Sequence, residues 1–266
     1  MSYQLVEKQL RVNEHNIFYL QGGTLTASSI PILFIHGWGV SIEPYQEILN
    51  TLSQHHQVIA PVLPGFGRSS NSQSNWDYHE YAQVISDFLA NLNISKVHLI
   101  GHSLGGGISA TLAAEMPNIV ASLILVDSTG IPVEPVFNVF LKRLGEMTAQ
   151  APQVQFPQII QIFQAFSYNL FFRPQTTFQA LWLSLTQDLS QSLSKIVSPC
   201  LLVWGSNDLT TPINAGREFY KQIKGSQLVI IDNVYHEWSI FFVEKFTSIV
   251  LAFIREIEVK SRKLKQ

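Results

Sequence analysis

Short, mainly apolar runs alternate along this chain with longer stretches in which apolar residues recur every three to four positions. The short runs predict strands at 32–35 (Ile-Leu-Phe-Ile), 57–62, 97–100, 120–126, 200–204 and 227–231, those at 32–35 and 97–100 buried. The longer stretches predict helices at 44–54, 78–92, 104–115, 213–222 and 238–257. Near the N-terminus the period is two, so residues 4–12 and 16–20 read as an antiparallel hairpin turning through Asn13-Glu14-His15-Asn16. Strands alternating with helices imply an α/β fold with a mainly parallel sheet covered on both faces.

The rhythm breaks between residues 131 and 195. No strand pattern occurs there, and Pro132, Pro135, Pro152, Pro157 and Pro174 punctuate a Phe- and Gln-rich stretch. It reads as a helical insertion (131–195) in a core domain made of residues 1–130 and 196–266. Most of its aromatic residues (Phe137, Phe140, Phe156, Phe163, Phe166, Tyr168, Phe171, Phe172, Phe178 and Trp182) are expected to pack its helices against the sheet domain.

Composition narrows the class. Hydrophobic residues make up 46% and charged residues 14%, which allows a large core and leaves little room for disorder. A net charge of -2 gives no footing for nucleic acid. The single cysteine, Cys200, opens an apolar run and reads as a small core residue. One cysteine forms neither an internal disulfide nor a cysteine-based metal site. The start, MSYQLVEKQLRV, lacks the apolar core of a signal peptide, and no run reaches membrane-span length. A cytoplasmic protein is expected, with the basic end KSRKLKQ as a frayed, solvated helix terminus.

In parallel sheets, ligands bind beyond the carboxyl ends of the strands. The residues there are His36-Gly37-Trp38, Ser103, Asp127, Asp208 and His236. GHSLG (101–105) matches G-x-S-x-G, a strand-to-helix turn that leaves a serine hydroxyl clear of its surroundings. Gly101 and Gly105 remove side chains that such a turn would force together. A serine hydroxyl needs a base, and histidine titrates near neutrality. His15, His55, His56 and His79 fall in turns or at a surface helix start and read as solvated. His98 reads as structural, and His102 as turned away from the nucleophile. His236, after the last strand, is preferred to His36 as the base.

The acid that orients the base is Asp208 in WGSNDLTTP, with Asp127 as its rival; either keeps the order Ser, Asp, His. The bland reading of Asp127 is a cap formed with Ser128 and Thr129. Oxyanion donors are expected from the N–H groups of Leu104, just after the serine, and Trp38, with His36 organising that loop.

FIHGWG, PGFGRS, GHSLGGG, WGSNDLTTP and YHEW, in this order, resemble the α/β-hydrolase superfamily over residues 5–258. The resemblance implies an eight-stranded sheet, a triad of Ser103, Asp208 and His236, a helical cap at 131–195, and no metal or organic cofactor. Two positions depart from the common pattern. Val62 and Leu63 stand where an acidic residue often precedes PGFG, which bears on how that loop is organised. Tyr235 stands where a small residue often precedes the base, and it sets a phenol nearby.

A serine at the elbow separates this chain from the dehalogenases and epoxide hydrolases of the fold, which use aspartate. The aromatic, cation-poor insertion favours a small apolar substrate. The expected activity is hydrolysis of a small or medium apolar carboxylic ester through an acyl-enzyme on Ser103. The rivals are carbon–carbon hydrolysis of the meta-cleavage type and a non-catalytic ligand pocket. The first rival requires Arg68, Arg143 or Arg173 to face Ser103 and receive a substrate carboxylate.

Overall fold

A computed structural model describes residues 4–24, 30–70, 76–150 and 156–263; the side chains of Phe140, Leu144, Met147 and Phe156 lie outside that description. Eight strands form one sheet: β1 (Val6–Val12), β2 (His15–Gly22), β3 (Ile32–Ile35), β4 (Val58–Pro61), β5 (Val97–His102), β6 (Val120–Val126), β7 (Cys200–Gly205) and β8 (Gln227–Ile231). Their spatial order is β1-β2-β4-β3-β5-β6-β7-β8. The pairs β1–β2 and β2–β4 are antiparallel, and every other pair is parallel. The central strands β3, β4 and β5 are buried along their whole lengths, which is why they read as unbroken apolar runs. The edge strand β1 is mostly exposed and carries Glu7, Lys8 and Arg11, charges that discourage a further strand from pairing.

The helices of the core are α1 (Gln46–Ser53), α2 (Tyr78–Asn91), α3 (Leu104–Glu115), α8 (Ile213–Gln222), α9 (Trp238–Phe241) and α10 (Val243–Lys263). Asp77 starts α2 with a capping box: its carboxylate accepts from the N–H groups of His79 and Glu80, and Glu80 accepts from the Asp77 N–H. Helix α3 is buried on every side from Leu104 to Ala114, so glycine and alanine dominate it where bulkier residues would not fit. The chain interrupts the expected last helix at Phe242, where the backbone leaves helical geometry, and then continues in α10 further than periodicity indicated. Residues 264–266 of the basic end lie outside the described residues.

Between β6 and β7 run α4 (Val136–Ala149), α5 (Phe156–Phe172), α6 (Pro174–Thr186) and α7 (Ser190–Leu193). Their aromatic residues correct the expectation of inward packing. Phe137, Phe163, Phe171, Phe172, Phe178 and Trp182 are exposed, Phe163 at 68% and Trp182 at 63%. Phe166 does pack inward, on Trp38. A helix in an outer layer buries one stripe only, and α5 is apolar on more than that stripe.

His15 is a second correction. It opens β2, is buried, and meets the Trp76 ring edge-on at 5.0 Å. His56 is half-buried beside His98, which burial pushes down to about 4 and whose Nδ1 bonds Ser122 at 2.8 Å. Cys200 is a buried thiol. Among the described residues no helix is long and apolar enough to cross a membrane, and no cluster of three His, Cys, Asp or Glu side chains could hold a metal.

Candidate active site

Ser103 joins β5 to α3 with φ 53° and ψ −119°, a corner that L residues rarely occupy. The turn requires its glycines. A Cβ on Gly101 would run into the carbonyl of Gly105, and one on Gly105 would meet the carbonyls of Ile35 and His36. Strand β5, the head of α3 and the loop after β3 therefore approach one another at backbone distance.

The Ser103 hydroxyl lies 2.9 Å from His236 Nε2. His236 Nδ1 lies 2.8 Å from Asp208 Oδ2. With the proton on Nδ1 donated to the carboxylate, Nε2 is left to accept from the serine. All three residues are buried. Asp208 is fixed by its own loop. Its Oδ1 accepts from the N–H groups of Thr210 and Thr211 at 2.8 and 2.7 Å, and its Oδ2 accepts from the Thr211 hydroxyl at 2.7 Å. These short-range bonds explain the spacing Asp-Leu-Thr-Thr: the threonines immediately after the acid supply its donors.

Asp127, the rival acid, does other work. Its Oδ1 accepts from the Gly205 N–H at 2.8 Å and its Oδ2 from Trp238 Nε1 at 2.7 Å. It is thus a strut between β6, β7 and α9, and not a cap with Ser128 and Thr129. Burial and the neighbouring Asp208 charge push its carboxyl well above the usual range. Burial acts on Asp208 in the same direction, but the His236 imidazole and the Thr211 donors override it and hold Asp208 below its usual range. The two carboxyls are driven apart, so Asp208 carries the charge beside the histidine. For His236, burial favours the neutral ring. Asp208 and Glu237 outweigh that, and the imidazole lies above its ordinary value.

The loop after β3 is organised by His36, in keeping with its expected role. His36 Nδ1 donates to the Gly37 carbonyl at 2.8 Å, and Nε2 accepts from the Leu63 N–H at 3.0 Å. Burial lowers His36 to about 4, so it is a neutral fixture. The missing acid at 62–63 leaves that loop ordered through the main chain, because Ser69 Oγ also donates to the Val62 carbonyl at 2.8 Å. Tyr235 is only half-buried. Trp38 Nε1 donates to the Thr177 carbonyl at 2.7 Å, and Asn169 Nδ2 donates to the carbonyls of Gly39 and Val40. Helices α5 and α6 therefore rest on the 36–40 loop.

Two partners escaped the sequence reading. The Tyr45 hydroxyl accepts from the Gly37 N–H at 3.2 Å and donates to His102 Nδ1 at 2.8 Å. His102 Nε2 then donates to the His236 carbonyl at 3.1 Å. His102, neutral because burial lowers it to about 4, thus links the 36–40 loop to the main chain of His236. GHSLG displays His102, but nothing in an apolar helical pattern marks Tyr45 as its partner.

A family model described as the alpha/beta hydrolase fold matches residues 30–173, more than half of the chain. The chain belongs to the α/β-hydrolase family. Its sheet is eight-stranded and mostly parallel, as the resemblance implied. The chain is 27% identical over 254 residues to the dihydrolipoyllysine-residue acetyltransferase component of the acetoin cleaving system of Pseudomonas putida. That match covers 89% of this chain and 65% of the relative, so the chain spans less than two-thirds of that relative's length. Among solved structures, a membrane phospholipase A described as a bacterial virulence factor superposes with a TM-score of 0.81 at 28% identity, over 96% of this chain and 87% of that one. An esterase from Exiguobacterium antarcticum shares the fold at a TM-score of 0.80 and 20% identity, over 94% of this chain and 100% of its own.

Proposed function

We propose that this hydrolase is a serine esterase acting on small or medium apolar carboxylic esters. The observation that carries the reading is the continuous relay Ser103 Oγ–His236 Nε2 at 2.9 Å and His236 Nδ1–Asp208 Oδ2 at 2.8 Å. In this mechanism Ser103 attacks the ester carbonyl while His236 takes its proton. The imidazolium forms beside the ionised Asp208 and passes the proton to the leaving alcohol. Water then repeats the cycle on the acyl-enzyme. Leu104 opens α3, so its N–H has no partner within the helix and can bind the oxyanion together with the Trp38 N–H. Each such donor lowers the barrier by about 3 kcal/mol. Residues 131–195 act as a cap whose α5 and α6 seat Phe166 and Thr177 on Trp38.

The carbon–carbon rival needs a cation free to hold a substrate carboxylate. Arg68 is paired with Glu7, and Arg143 with Glu237 and Glu146. Arg173 has only a long contact to the Ser69 carbonyl at 3.4 Å, and its buried Nε is left without a partner among the described residues, so it is the one of the three that a carboxylate could still engage. The pairing of Arg68 and Arg143 favours the ester.

The test pairs hydrolysis of p-nitrophenyl butyrate with intact-mass analysis after a fluorophosphonate probe. One adduct, located on Ser103, and measurable turnover are expected. A folded protein that neither turns over nor labels would sink the reading and promote the silent-pocket alternative.

The pH profile follows from His236. The base must be neutral to accept the serine proton. The ring lies above its ordinary value, so the neutral fraction falls already near neutral pH. kcat/KM should drop about tenfold per pH unit on the acid side, with the midpoint above about 6.5, the value of a free imidazole. A midpoint well below that would contradict the charge balance around His236.

A further inference from the structure

Helix α4 of the insertion sends a carboxylate under both loops of the relay. Glu146 is 0% exposed. Its Oε1 accepts from the N–H of His236 at 3.1 Å and from the N–H of Leu209, next to Asp208, also at 3.1 Å. Its Oε2 accepts from the Thr210 hydroxyl at 2.6 Å and from Arg143 Nη1 at 3.0 Å. Arg143, one turn earlier on α4, also forms a two-point pair with Glu237, the residue after His236. A buried carboxylate left without donors is costly, and this one has four. Three of the four come from the loops that carry the acid and the base, and the fourth from its own helix.

The two N–H donors, Leu209 and His236, stand 27 residues apart in sequence. Without Glu146, the N–H groups of His236 and Leu209 would face the same buried space with no shared acceptor. The loops already touch through the His236–Asp208 bond itself and through Thr211 Oγ1, 3.3 Å from His236 Nδ1. Glu146 adds a second link, made to the main-chain N–H groups of Leu209 and His236. Because it arrives from α4, the brace exists only while α4 is docked.

We propose that Glu146 is a positioning residue: from helix α4 its carboxylate holds the Asp208 loop and the His236 loop at one spacing, so alignment of the relay depends on the docked insertion. The inference rests on the serine-hydrolase reading for its effect on rate, but its structural content stands apart from that reading.

The experiment compares wild type with Glu146→Leu and Glu146→Gln in the full chain. Glu146→Leu removes every acceptor and should lower kcat on p-nitrophenyl butyrate about 100-fold, with KM changed less than about threefold, because the reacting groups are displaced while the substrate surface is not. Glu146→Gln keeps a carbonyl for the two N–H donors and should recover kcat to within about tenfold of wild type. The second readout is the low-field Nδ1 proton of His236 by NMR. It should be sharp in wild type and in Glu146→Gln, and broadened in Glu146→Leu. This signal reports the His236–Asp208 bond even if the wild type hydrolyses no ester, so failure of the function and failure of the brace give different results. If Glu146→Leu does not fold, Thr210→Val removes one loop donor alone and should lower kcat about threefold to tenfold. A folded Glu146→Leu with wild-type kcat and a sharp proton signal overturns the proposal. So does a Thr210→Val protein with unchanged kcat where the leucine variant does not fold.

Discussion

The Ser103→Ala protein is expected to fold normally and to lose about a millionfold in kcat on p-nitrophenyl butyrate, roughly 8 kcal/mol of barrier. The size follows from what is removed. Ser103 Oγ bonds His236 Nε2, and the substitution deletes the nucleophile while leaving Asp208, His236 and the loop donors in place. Those remaining groups still bind an ester and polarise its carbonyl, so a small rate above the uncatalysed one should survive. Thermal unfolding separates this from misfolding: the midpoint should match or slightly exceed that of wild type, since the deleted bond holds no element of the fold. Residual activity above about 1% in protein free of host esterases would mean that the acyl group does not pass through Ser103.

Asp208→Asn carries the second largest expectation, a fall of about 10^4-fold in kcat. The amide fills the same space, but an NH2 group facing His236 Nδ1 selects the tautomer with its proton on Nε2. That ring can no longer accept from Ser103. The lost negative charge also removes the stabiliser of the imidazolium. Asp127→Asn is the matched control. Asp127 touches Gly205 and Trp238, and burial and the neighbouring Asp208 push its carboxyl well above the usual range, so it has less charge to lose than Asp208. A loss of less than about tenfold is expected there. Reversal of the two losses, with Asp127→Asn the severe variant, would reassign the acid. kcat measured on both variants above the midpoint of the His236 limb decides it.

The sequence exposed the parts of this molecule that follow its parallel strands. Ser103 follows its strand at once, Asp208 and His236 follow theirs by short loops, and a parallel sheet brings such positions to one edge whatever their separation along the chain. The same logic placed Asp127 there too. What separated it from Asp208 was a pair of donors from Gly205 and Trp238, contacts that no local pattern encodes. The insertion was legible as helical but not in its orientation. Helical period says which residues share a stripe, and it is silent when several stripes are apolar, as in α5. Hence Phe163 and Phe171 looked like core and are exposed. Glu146 was invisible for a related reason. A charged residue on a helix ordinarily faces water, and only the docked α4 reveals that this one faces the loops.

The backbone of Ser103 has one more meaning. Its left-handed corner costs an L residue about 1–3 kcal/mol, and glycine occupies such corners with far less strain. A chain that kept this fold merely to shelter a ligand would have a one-codon route to greater stability through Ser103→Gly, at the expense of nothing it used. The serine therefore reads as a standing concession of robustness to reactivity.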